Sequence, residues 1–350
     1  MGGRNLRKAG VETIVDSETS ASVMGFTELF GSFGRILKAY STMKSCIKTW
    51  KPDLLILLDF PDFNLRLARV ASTKGTKVLY FISPQVWAWR TSRVEFFKKY
   101  LDQIAVIFPF EKEFLESHGF NKATFVGHPF LDVLKSRTMK TKQQIKEELE
   151  LSEKPVLAVF PGSRKSEIEK HLNVMIDGLR KFNQDYPDVQ IVLNVAPSLD
   201  INFILEKVSR FENLKIVKKD PLDIMQVADA GLLKSGTSNL QAAALGLPFC
   251  MFYIASPLSA FIVRKLVKIK QYSIVNILKP GAVSEILQEN ATTDSIYNEL
   301  KNVLFNTKFR EKMKQDFSNI TASLHHENHL LESAADRVAK LAARLITPAN

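Results

Sequence analysis

Leu54-Leu55-Ile56-Leu57-Leu58-Asp59-Phe60-Pro61-Asp62-Phe63-Asn64 runs five apolar residues directly into a carboxylate. A short apolar run closed by turn residues reads as a strand of a parallel α/β layer. Similar runs recur at 78–82, at 104–108 and, shorter, at 124–126, with helix-like segments at 64–74 and 92–100. A second series follows at 156–160, 190–195, 214–217, 230–233 and 249–252, with helices expected at 165–186 and 239–245. Strands alternating with helices are the sequence sign of parallel α/β layers. Between the two series, residues 135–154 are rich in Lys, Glu and Gln around a helical segment at 143–149, and read as a connection between domains. From 294 onward the pattern is helical throughout, and no internal repeat or low-complexity segment interrupts the chain. The expectation is an α/β protein of two Rossmann-like domains facing a cleft, with ligands held beyond the carboxyl ends of the strands.

Composition agrees with that outline. A chain of 350 residues exceeds one ordinary core, which favours two domains. Its 45% hydrophobic and 24% charged residues are those of a globular protein rather than a disordered one. Cys46 and Cys250 stand far apart and outside any metal-ligand spacing, so neither a disulfide framework nor a metal site is expected, and a reducing compartment fits. No apolar run follows Met1, and Gly2 lacks the Ser or Thr of a myristoylation site. The net charge of +11 points to a polyanionic partner, with an inert basic surface as the plain alternative. No zinc-finger or RRM-type signature accompanies it, which disfavours nucleic acid. The apolar stretch 247–263 is broken by Pro257 and reads as a buried strand, a turn and an amphipathic helix, not a membrane span.

The unusual residues gather where the strands end. Asp59 closes the first run, where burial would make it a usable general base; Asp62 and Asn64 beside it could equally cap the next helix. The second run ends in Ser83-Pro84-Gln85-Val86-Trp87-Ala88-Trp89-Arg90, whose rings and guanidinium could stack on a sugar or grip a phosphate. Gly127-His128-Pro129 follows the fourth run, and a lone histidine there is more often structural than catalytic. In the second half, Pro161-Gly162-Ser163-Arg164 and Lys234-Ser235-Gly236-Thr237-Ser238-Asn239 each follow a strand and open a helix. Small residues and free N–H groups at a helix start form an anion site, and an Arg adds a bidentate donor for a diphosphate. Neither a P-loop nor a G-x-G-x-x-G fingerprint is present, which disfavours ATPases and ordinary dehydrogenases.

Taken in order, these segments resemble the lipid-A-disaccharide synthase family from the first residues to about Gln288. Asp59–Asn64, Val126-Gly127-His128-Pro129, Phe160–Ile168 and Lys234–Leu240 carry the likeness, and the string Ser83–Arg90 is its most specific part. The resemblance implies a GT-B fold whose last helix crosses back onto the first domain, giving expected boundaries at 1–137, 138–325 and 326–350. It implies a metal-independent, cofactor-free inverting transfer from UDP-2,3-diacylglucosamine to 2,3-diacylglucosamine 1-phosphate, at the cytoplasmic face of a Gram-negative inner membrane. Carried over by position, Asp59 becomes the general base for the acceptor 6-hydroxyl. Gly162, Ser163, Arg164, Ser235, Gly236, Thr237, Gln241 and Asn276 fall on the nucleotide side. Met24, Glu28, Asp62, Asn64, Ser83, Trp87, Trp89, Arg90 and His128 fall on the substrate side. Phe26, Leu29, Phe30 and Phe33 would suit acyl chains, and the cations of 261–270 an anionic membrane surface.

Three departures stand out. The family's opening strand and glycine-rich loop are not present before Met1, which predicts either unpaired inner edges in the first sheet or a gap closed by shifted strands, with poor solubility and little activity. Gln241 stands where the family usually has Glu, and Lys279-Pro280-Gly281 replaces a Gly-Arg pair after Asn276. Two other readings compete: another GT-B UDP-sugar enzyme, such as an N-acetylglucosaminyltransferase or a 2-epimerase, and a non-catalytic remnant that binds nucleotide or lipid. An oligomer is compatible with all of them.

Overall fold

Ten strands form two parallel sheets in the computed structural model, which describes residues 1–17, 29–208, 211–255, 271–327 and 330–347. Met1–Asp132 and His326–Asn350 form one compact unit, and Val133–His325 another. In the first unit β1 (Leu54–Leu58), β2 (Lys77–Phe81), β3 (Gln103–Val106) and β4 (Ala123–Phe125) pair side by side in chain order. Of the two outcomes expected of this sheet, an interior gap is not found among the described residues: β1 takes an edge position and β2 pairs with it along its whole length.

The two faces of this sheet are covered differently. Leu57, Val78, Tyr80, Ile104 and Val106 point to one side, against Phe63, Leu67, Ala68, Val94, Phe97 and Leu115. Those partners come from the helices Pro61–Ser72, Arg93–Tyr100 and Pro109–Ser117, which connect the strands. On the other face Leu79, Ala105 and Val126 meet Ala334, Val338 and Ala342 of the last helix, Ala334–Ile346. Spacings of four and eight residues put those three on one helical stripe. The helix is anchored at its start, where Ala334 N–H donates to Asp132 Oδ2 (2.7 Å) and the buried Arg337 Nε donates to the Val126 carbonyl (2.7 Å).

In the second unit β5 (Val156–Phe160), β6 (Gln190–Asn194), β7 (Leu214–Val217), β8 (Ala230–Lys234), β9 (Phe249–Tyr253) and β10 (Glu285–Leu287) stand in the order β10-β9-β8-β5-β6-β7. The chain steps outward from β5 to β7 and then returns to the far side of β5 as β8. Strand order therefore reverses between β5 and β8, and such a switch point opens a crevice beyond the strand ends. Every residue of β5 is buried, as a central strand covered on both faces requires. The helix Lys165–Asp185 keeps a glycine in its middle for packing: a Cβ on Gly178 would lie 2.7 Å from Ile296 Cβ on the helix Thr293–Phe305. β10 was not expected from the sequence. The stretch 247–263 supplies β9, while the amphipathic segment 261–270 lies outside the described residues, as do Met24, Phe26 and Glu28. Among the described residues no helix is long and apolar enough to cross a membrane.

Candidate functional site

Asp59 leaves the carboxyl end of β1 in a left-handed conformation (φ 48°), and Phe60 follows it (φ 46°). Non-glycine residues enter this region at a cost of roughly 1–2 kcal/mol each, so two in succession mark a constrained elbow. Three contacts hold it. Tyr80 Oη donates to the Asp59 carbonyl (2.6 Å), and Asn64 Nδ2 donates to the carbonyls of Asp59 (2.7 Å) and Leu58 (3.0 Å). Burial, and then the nearby Asp59 carboxylate, push the Tyr80 phenol above its ordinary value, which keeps it a donor. The capping role considered for Asp62 and Asn64 is not found: Phe60 is the N-cap, with Pro61 in the first turn and no side-chain cap. The Asp59 side chain is exposed, so the burial expected at this strand end is also absent.

β2 ends one residue earlier than the apolar run, because Ile82 also turns left-handed (φ 60°). For a β-branched residue this is a genuine outlier. It throws the following loop across the strand end, where the buried Ser83 donates to the Pro84 carbonyl (3.1 Å). Arg90 lies over the Trp89 ring (3.9 Å to the centroid) and pairs with Asp62 (3.4 Å), which Arg93 also holds. Asp62 is exposed, so these pairs orient the loop more than they stabilise it. Trp87 turns the other way, into a carboxylate that sequence reading did not single out. Its Nε1–H donates to Glu111 Oε1 (3.2 Å), and its edge meets Phe110 (5.1 Å). Burial pushes the Glu111 carboxyl up to about 7, against the pull of its N–H donors.

His128 follows β4 after Gly127 (φ 83°). Its Nδ1 accepts the Phe130 N–H (3.2 Å), which places the ring proton on Nε2 as a donor. Burial lowers its pKa to about 4, so the imidazole is neutral at ordinary pH. Asp59, the Ser83–Arg90 loop, Glu111 and His128 thus succeed the four strands in order along one edge of the first sheet.

In the second unit the switch point is flanked by the two glycine-bearing turns. Gly162 takes a conformation that side-chain-bearing residues rarely adopt (φ 114°), and a Cβ there would only come into ordinary contact with Lys234 and Glu167 (3.5 Å). Glu167 pairs with Arg164 (3.2 Å) and with Lys234 (3.0 Å), which also lies over the Tyr253 ring (5.2 Å). Two cations and two helix starts therefore converge at the ends of β5 and β8, as anion binding requires. Glu167 and Lys234 were missed as site residues because a Glu and a Lys in helical or strand-end context look like ordinary surface charge. Ser163 and Thr237 are exposed at the two turns. Ser235 is held from below: its N–H donates to the Phe252 carbonyl (3.1 Å) and its hydroxyl to the Tyr272 carbonyl (3.1 Å). The fully buried Asn239 closes the second turn by accepting the Gly236 N–H (3.4 Å) and donating to the Lys234 carbonyl (3.2 Å).

Asn276 is a different case. Its amide donates to the Val283 carbonyl (2.9 Å) and Glu285 (2.8 Å) and accepts the Val283 N–H (2.9 Å). Both its hydrogens are committed to the segment carrying β10, so it braces that loop. Gln241 sits partly buried on the helix Thr237–Ala244, one turn beyond Thr237. Among the described residues no group of three or more His, Cys, Asp or Glu is placed to hold a metal ion.

A family model described as Lipid-A-disaccharide synthetase matches residues 1–339. The chain belongs to the lipid-A-disaccharide synthase family. It is 38% identical to the lipid-A-disaccharide synthase of Geobacter metallireducens over 326 residues, 93% of this chain and 84% of that one. The Coxiella burnetii synthase (strain Dugway 5J108-111) is 33% identical over 350 residues, 99% of this chain and 90% of its own length. Among solved structures, the UDP-GlcNAc 2-epimerase of Neisseria meningitidis bound to UDP-GlcNAc superposes with a TM-score of 0.61 at 14% identity, over 91% of this chain and 85% of that one. That likeness concerns the fold alone, and the fold is GT-B. Membership in the synthase family makes this chain a glycosyltransferase of lipid A biosynthesis, acting on a UDP-sugar and a lipid A precursor.

Proposed function

We propose that the chain joins UDP-2,3-diacylglucosamine to 2,3-diacylglucosamine 1-phosphate through a β-1,6 bond, releasing UDP. The observation that carries this reading is the pair of turns at the β5–β8 switch point, with Arg164 and Lys234 beside them, in a chain of the synthase family. The acceptor 6-hydroxyl gives its proton to Asp59 as its oxygen attacks the donor's anomeric carbon. The bond from that carbon to the diphosphate breaks, and UDP leaves with the electron pair. Arg164, Lys234 and the backbone N–H groups of the two turns meet the charge that develops on the leaving diphosphate. Trp87, Trp89, Arg90 and His128 serve the acceptor, with His128 Nε2–H as a neutral donor. The test is UDP release with both diacylated substrates. UDP release that needs no acceptor, or a donor preference for a sugar without acyl chains, overturns the assignment.

The donor site gives an ordered expectation. Arg164→Ala weakens UDP binding more than Gln241→Ala, because charge-assisted bonds to a diphosphate are roughly twice as strong as neutral ones. Calorimetry with UDP on the two variants measures this, and the reverse order would overturn the roles.

The acyl chains of such substrates reside in a membrane, and the chain carries a net charge of +11. We place it as a peripheral protein on the cytoplasmic face of the inner membrane, held by apolar contacts and anionic headgroups together. Co-sedimentation with phosphatidylglycerol vesicles is expected at low salt and lost at high salt. Binding that ignores salt, or no binding, counts against it.

A further inference from the structure

Glu111 occupies the third position of the helix Pro109–Ser117 and is 2% exposed. Its Oε2 accepts the N–H groups of Ile107 (3.3 Å) and Phe108 (3.2 Å), the residues that leave β3. A glutamate at this position that reaches back to the start of its own helix is an ordinary capping device, and it works at a protein surface. Two features go beyond capping. The carboxylate is buried, which costs free energy wherever its lone pairs are not all satisfied. Its second oxygen also takes the Trp87 indole N–H (3.2 Å) from the segment, 24 residues away, that follows the neighbouring strand β2.

The rings around it form a continuous row. Trp87 meets Phe110 edge-on (5.1 Å, 85°), Phe110 stacks on Phe108 (5.8 Å, 13°), and Phe108 faces His128 (5.4 Å). The row begins and ends on residues assigned to the acceptor, and Glu111 holds both Phe108, by its N–H, and Trp87, by its indole. A carboxyl group accepting three N–H groups fixes direction as well as distance, because each donor must point at one of two oxygens.

We propose that Glu111 is a positioning residue for the transfer: it orients the Trp87 indole, and through it the Ser83–Arg90 loop, against the ring row that ends at His128. The inference rests on the reading of that loop as part of the acceptor site.

The experiment uses the three tryptophans, Trp50, Trp87 and Trp89, as probes in the full chain. With 15N-labelled tryptophan the indole N–H signal of Trp87 is identified by its loss in Trp87→Phe. Glu111→Gln is expected to move the Trp87 signal and leave that of Trp50 in place. Glu111→Gln and Trp87→Phe are each expected to raise the KM for the acceptor about tenfold with a smaller change in kcat. The double variant should be no worse than the more impaired single one, since residues that act as a unit are not additive. An unmoved Trp87 signal, or effects that multiply in the double variant, overturns the link between Glu111 and Trp87. A moved signal with parent kinetics in both single variants overturns the loop's place in the acceptor site, and Glu111's role with it. Trp87→Phe removes the indole donor and keeps the capping bonds of Glu111, so a parent acceptor KM in that variant overturns the proposal even where Glu111→Gln fails to fold.

Discussion

Asp59→Asn is expected to lower turnover by about 10²–10⁴-fold, the usual effect of removing a general base, while UDP affinity stays unchanged. In barrier height that is about 3–5 kcal/mol. The substitution suits this position for a structural reason. Asp59 sits at φ 48°, a conformation that Asn tolerates better than any other non-glycine residue. The bonds that hold the elbow run to the Asp59 carbonyl, from Tyr80 and Asn64, and are untouched by the exchange. Asn thus keeps the backbone and removes only the ability to take a proton. Asp59→Ala removes the same ability but adds the left-handed penalty of a Cβ without a polar partner, roughly 1 kcal/mol more. It should therefore lose stability as well as rate, and the difference between the two variants separates chemistry from strain. Steady-state kinetics with thermal melts on both proteins supply the data. A D59N protein that keeps more than half the parent rate removes Asp59 from the mechanism.

How far this site could be read in the sequence depended on where each residue's partners lie along the chain. Five apolar residues closed by Asp59 and Pro61 placed a strand at its observed bounds, although β1 proves to be an edge strand on which Ile56 and Leu58 are half exposed and only Leu57 is buried. The turns after β5 and β8 were legible too: small residues follow the strand and a helix opens at once. Which strands are neighbours was not legible. Only the return of the chain from β7 to β8 brings Gly162 beside Lys234, and nothing in either segment encodes the other's position. Glu111 and Glu167 stayed hidden because an acid in an amphipathic helix normally faces water, and what marks these two is contact with residues 24 and 67 positions away. Ile82 was read as the last residue of its strand, because β-branched residues favour strands and tertiary strain leaves no trace in local sequence. Asn276 is the opposite case: its position in the family pattern was clear, and the loop that uses its amide was not.

The two displaced groups at the edge of the first sheet predict a pH dependence that cancels in the parent protein and appears only in variants. Glu111 is raised from 4.5 to about 7, so between those values the folded chain keeps a proton that the unfolded chain has released. Stability from this group is complete below about pH 4.5 and falls as pH rises through 7, by no more than about 3 kcal/mol. His128 is lowered from 6.5 to about 4, so in nearly the same window the unfolded chain holds a proton that the folded chain refuses. Its contribution is complete above about pH 6.5 and falls as pH drops through 4, by a similar amount. Both groups are held neutral by burial, and a neutral acid and a neutral base respond to pH with opposite slopes. From about pH 4.5 to 6.5 the two slopes offset each other. Glu111→Gln leaves the histidine term alone, so stability of that variant should climb with pH across this window more steeply than the parent's. His128→Gln, whose amide oxygen can still accept the Phe130 N–H, leaves the glutamate term alone and should decline with pH. All three tryptophans lie in the first unit, so tryptophan fluorescence during urea unfolding reports on that unit and not on Val133–His325. Denaturation curves at half-unit steps from pH 4 to 7.5 give the slopes, and comparison among the three proteins removes every titration they share. Parallel stability profiles for parent and both variants would show that neither group is held neutral by the fold, and the burial of this sheet edge would then have to be weaker than its packing implies.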